Sequence, residues 1–166
     1  MKFYTIEEYR SWQKPDFVFT PENEVRPKYR KYYKSNKHLF PKSVDWVYRH
    51  SFHDADLISI DTYSDSHYVI NLDLDGSFHD QDKQALIHLT GVSEVCIPDG
   101  IGPETIWQYE EFHPHPNGFE FGVLFCNPLC ELKIIAKDIK VEYYKPSMRS
   151  KIYRKHISSI RNDKMS

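Results

Sequence analysis

The sequence predicts an α+β fold, with N-terminal helices, a curved antiparallel β-sheet and a C-terminal basic helix. Helix-start and helix-stop signals crowd the first fifty residues, segments of two-residue alternation recur between Ile58 and Tyr143, and helical spacing returns after Ser147. These three observations place one domain over 1–166, mainly helical over 1–50, sheet over 51–144, and a tail helix over 145–166.

Thr5 and Glu8 have the spacing of a capping box and predict a helix over 6–13 that stops before Pro15. Thr20-Pro21 reads as a second helix start. After Pro27, Tyr29, Tyr32 and Tyr33 fall on one helical stripe that Pro41 closes, and a further helix over 43–50 carries Val44, Val47 and Tyr48. Beyond His53 the period changes. Ile58 and Ile60 mark a strand, and Tyr68, Ile70, Leu72 and Leu74 line one face of the next, with Ser64-Asp65-Ser66 as the hairpin tip. Strands are expected near 85–90 and 92–97, over Phe119–Phe125, over Leu132–Ala136 and over Ile139–Tyr143, in a sheet of about five to seven strands. Tyr153, Ile157 and Ile160 give the tail its helical spacing.

The totals exclude several classes. With 166 residues a core forms without staples. Cys96, Cys126 and Cys130 are too few for a disulfide framework. Acidic Glu7 and Glu8, with no apolar run behind them, argue against a secretory leader, and no stretch has the length of a membrane span, so a cytoplasmic protein is expected. Net charge is only −2, but its distribution is uneven: 26–42 carries +7 with no acid, 145–166 carries +6, and 44–144 carries −13. Such asymmetry points to interaction chemistry.

Catalytic signals are weak, and neither an enzyme nor a cofactor is expected. His50, His53, Asp54 and Asp56 gather metal-ligating types in seven residues, yet a helix-to-strand switch sends alternate side chains apart. The Asp73–Asp82 segment departs from a calcium loop: position 4 is Gly76 and position 12 is Gln84. Cys126 and Cys130 with His113 and His115 lack the two tight ligand pairs of a zinc site. No metal site is expected. Tyrosines interleaved with Lys/Arg over 26–42 suit single-stranded nucleic acid, but their spacing suits a packing stripe better, so a nucleic-acid-binding module is the alternative function. The acidic middle is the leading signal. Asp73, Asp80, Asp82, Asp99, Glu104, Glu110 and Glu111, with Trp107 and Tyr109 as aromatic anchors, are the candidate interface for a cationic protein such as a nuclease domain.

Phe52-His53-Asp54-Ala55 before a hairpin, Gly76-Ser77-Phe78-His79-Asp80, and Trp107-x-Tyr109-Glu110-Glu111 form an ordered pattern. Gly118-Phe119-Glu120-Phe121, Glu131-Leu132-Lys133-Ile134 and Lys137-Asp138-Ile139 complete it. Over roughly 52–142 the chain resembles small bacterial proteins of unknown function that look like immunity proteins of contact-dependent growth inhibition systems. The resemblance implies an immunity protein and no catalytic residue. Taken with the acidic middle, it leads to the expectation of a cytoplasmic inhibitor that covers the active site or substrate groove of a cognate toxin, an RNase being the expected target.

Overall fold

Eight strands form one antiparallel sheet: β1 (Asp56–Ser64), β2 (His67–Asp73), β3 (Gln84–Thr90), β4 (Glu94–Cys96), β5 (Ile106–His115), β6 (Gly118–Cys126), β7 (Cys130–Ala136) and β8 (Asp138–Tyr144). Their order is β4-β7-β6-β5-β1-β2-β3-β8. The computed structural model describes residues 1–75 and 83–145. The fold is α+β, and the expected tail helix lies outside the described residues. No helix among them is long and apolar enough to cross a membrane.

The alternating patterns set the register. Ile70 pairs with Ile87 and Leu72 with Ala85, while Leu89 pairs with Ile139 and Ile87 with Val141, so each apolar row meets another on the core face. The sheet has one strand more than expected, and the addition is β5. A bulge between Trp107 and Tyr109 breaks its alternation, and adjacent Glu110 and Glu111 disguise the rest.

β5 joins β1 through a short seam, where Leu57 N donates to Thr105 O, Trp107 N to Ala55 O, and Asp54 N to Trp107 O, each at 2.8 Å. Trp107 is fully buried there, against Phe52, Phe121 and Phe125 at ring distances of 5.6–5.9 Å.

Three helices precede the sheet: α1 (Ile6–Trp12), α2 (Val25–Asn36) and α3 (Lys42–Tyr48). Thr5 Oγ1 accepts from Glu8 N at 3.2 Å, the capping bond its spacing calls for. No helix starts at Thr20-Pro21. Asn23 Oδ1 takes the Thr20 N–H at 2.8 Å, closing a local turn that delays α2 until Val25. Tyr33, Val44 and Val47 enter the main core, and Tyr4, Val25 and Tyr29 make a second cluster with Phe3, Trp12 and Tyr109.

Candidate functional site

The site is assembled by an acid that the sequence suggested was exposed. Glu111 on β5 is completely buried. Its carboxylate accepts from Lys2 N at 2.9 Å, from Phe3 N at 2.8 Å and from Tyr4 N, and His113 Nε2 lies 2.6 Å away. A carboxylate only accepts, so Nε2 carries the His113 proton. Burial alone would raise the Glu111 pKa. The bonds from His113 and the three backbone N–H groups outweigh it and hold the carboxyl below its ordinary value. The Met1 nitrogen reaches Glu131 Oε2 at 2.9 Å, and Tyr29 Oη accepts from Phe112 N at 2.7 Å. These bonds lash the N-terminal arm and α2 to the sheet.

Between this layer and β5 opens a cleft of about 1260 Å³. Tyr4 stacks on Tyr109 with centroids 4.4 Å apart and planes at 5°. Trp12 meets Tyr109 edge-on at 5.6 Å and leans on Phe19 at 6.2 Å. Phe19 is 65 % exposed at this lining and Val18 beside it 69 %. Arg26 and Arg30 also line the cleft, from α2. His53 packs against Tyr109 at 5.2 Å. Its Nδ1 lies 2.9 Å from Asp54 Oδ2 but is misaligned, and this nitrogen makes no hydrogen bond with the described residues. Asp54 sits at φ 66°, held there in part by its N–H bond to Trp107.

Glu110, half-buried in the cleft, accepts from Trp107 Nε1 at 2.7 Å. Burial pushes its pKa from 4.5 up to about 7, against the opposing pull of that bond and of the Arg26 charge. The proton-bound form therefore favours folding. The contribution is complete below 4.5 and is lost as pH rises through about 7. Thermal midpoints of the wild type are expected to fall on that rise, and Glu110→Gln should flatten the slope. An unchanged slope in the variant would assign it to other groups.

Among the described residues, the acids expected from the sequence do not stand together on one surface. Trp107, Glu111 and Asp73 are buried and cannot contact a partner, with accessibilities of 0, 0 and 7 %. Trp107 fills the seam, Glu111 binds the arm, and Asp73 sits in β2 between Asp56 and Gln84 of its neighbours. Asp80 and Asp82 lie outside the described residues. Asp99 and Glu104 are exposed in the connection before β5. Tyr109 and Glu110 remain accessible in part, but they face a cleft that also holds Arg26 and Arg30.

Tyr4, Trp12 and Phe19 are not expected at a site from the sequence, and Arg26 and Arg30 are expected only in the alternative nucleic-acid segment. One signal was legible: Phe17-Val18-Phe19 is an apolar run between Pro15 and Pro21, with no helix or strand of its own to bury it. The alternative nucleic-acid site over 26–42 loses its stacking platform. Tyr29 and Tyr33 are buried, and Tyr32 packs on Phe3 at 5.1 Å and on His113 at 5.2 Å. Among the described residues no three His, Cys, Asp or Glu side chains converge to hold a metal ion. His50 instead stacks on Trp46 at 3.9 Å.

A family model described as protein of unknown function (DUF4085) matches residues 7–136. That span runs from α1 to the end of β7 and holds the cleft's lining residues except Tyr4 and Tyr143. No curated protein and no solved structure matches the chain.

Proposed function

For this chain, which belongs to the family described as protein of unknown function (DUF4085), we propose stoichiometric neutralisation of a cognate toxin in the cytoplasm. A segment of the toxin seats in the cleft between the helical layer and β5, and the complex covers the toxin's active site or substrate groove. The likeness of the 52–142 pattern to immunity proteins motivates the toxin. The surface chemistry supports docking as the mode of action.

The observation that carries the reading is Phe19, 65 % exposed beside aromatic walls formed by Tyr4, Trp12 and Tyr109. Water on a large apolar ring next to a concave, ring-lined surface is released when a complementary side chain enters, and interfaces concentrate their affinity at such anchors. The volume exceeds the roughly 300–1,000 Å³ of small-molecule pockets and suits a polypeptide segment. Two ionisable groups of the cleft are held in place by bonds within the chain. Glu110 is held by Trp107, and Arg49 is paired to Asp45 at 2.7 Å.

The test is a titration of the toxin domain encoded beside this chain with the purified protein, read by residual toxin activity and by calorimetry. Activity is expected to vanish at one equivalent. A neighbouring gene that encodes no toxin, or a toxin left active by excess protein, would overturn the proposal.

A further inference from the structure

We infer that the occupant of the cleft is an acidic, extended polypeptide segment, which reverses the cationic partner expected from the sequence; the inference rests on the docking function proposed above. Arg26, Arg30 and Lys34 stand four residues apart along α2, so they form one stripe with a step of about 6 Å. The stripe borders the buried Tyr29 and Tyr33, and its members line two grooves in succession. Arg26 and Arg30 line the cleft. Lys34 lines a second groove of about 690 Å³, with Lys42, His38 and Phe40.

The stripe is available. Arg26, Arg30, Lys34 and Lys42 make no ion pair with the described residues. Asp45, the acid lining the second groove, is taken by Lys37 and Arg49 at 2.7 Å each. Alternate side chains of an extended peptide recur every 6.7 Å or so, close to the step of the stripe. Carboxylates at alternate positions can therefore meet successive cations, while the intervening side chains are free to meet apolar surface. Such surface is exposed nearby: Phe19 by the cleft, and Leu39 at 52 % beside His38. A protein fits better than a polynucleotide. The tyrosine faces of α2 that bases would need are packed away in the core.

The experiment titrates the full chain with an octapeptide alternating glutamate with leucine and phenylalanine, its lysine counterpart, oligothymidylate, and anionic phospholipid vesicles. Only the acidic peptide is expected to bind, more weakly as salt rises. The Arg26→Glu/Arg30→Glu variant should lose about tenfold or more in affinity while its circular dichroism shows the fold retained. No acidic-peptide binding at low salt, equal affinity in the folded variant, or preference for any other probe would overturn the inference. Should this variant still neutralise the toxin at full potency, the acidic-segment inference fails alone. If the peptide binds but the wild type neutralises nothing, the toxin reading fails and the cleft chemistry stands.

Discussion

Replacing Glu111 by alanine is expected to destabilise the protein by about 3–5 kcal/mol, the range for removing one partner of a buried charged network. The loss has two parts. His113 and the N–H groups of Lys2, Phe3 and Tyr4 all lose their acceptor at once. The N-terminal arm, which supplies Tyr4 to the cleft, loses its tether to β5. Chemical denaturation checks the first part, and a red shift in tryptophan emission from loosened packing around Trp12 checks the second. A change below about 1 kcal/mol would mean that water replaces the carboxylate at little cost.

The pH behaviour follows with its own sign. The Glu111 pKa is lowered on folding, so its contribution is present above the ordinary 4.5 and is lost as pH falls through the folded value. Glu110 acts in the opposite sense, losing its contribution as pH rises through about 7. Adjacent carboxyls on one strand thus favour opposite ends of the scale, and these two groups place their joint stability maximum in mildly acidic solution.

Trp107→Ala is the second large effect, with an expected cost of about 3–5 kcal/mol. The indole is fully buried against Phe52, Phe121 and Phe125. Its position adds to the damage, because the seam between β1 and β5 is where the sheet has little backbone pairing to spare. Removing the indole N–H also leaves Glu110 without that hydrogen bond, which should push its pKa higher still. Urea denaturation measures the stability, and the pH dependence of the variant's melting temperature reports the displaced Glu110. A cost near 1 kcal/mol would show that the seam collapses to fill the space.

Most of the fold was legible because it obeys simple periods. The alternation in Tyr68–Leu74, Phe119–Phe125 and Ile139–Tyr143 places one face in the core, and Thr5 with Glu8 marks the first helix. The site was not, and the reason is specific. It lies on β5, whose bulge resets the alternation at Trp107 and Tyr109, and whose two acids resemble a loop when read as isolated charges. Glu111 is buried because the backbone N–H groups that satisfy it come from residues 2–4, more than a hundred positions away. No local pattern encodes that meeting. The tyrosine stripe of α2 was readable as packing from its spacing alone. What its cations border, by contrast, depends on how α2 is pinned through Tyr29 to Phe112.

The central claim, that the aromatic cleft is the docking surface, is tested most directly by repeating the toxin titration with Phe19→Ser. The side chain is exposed, so the variant should melt with the wild type while binding about tenfold or more weakly, as loss of an interface anchor requires. Undiminished affinity in a folded Phe19→Ser protein would contradict the account and move the interface to another face.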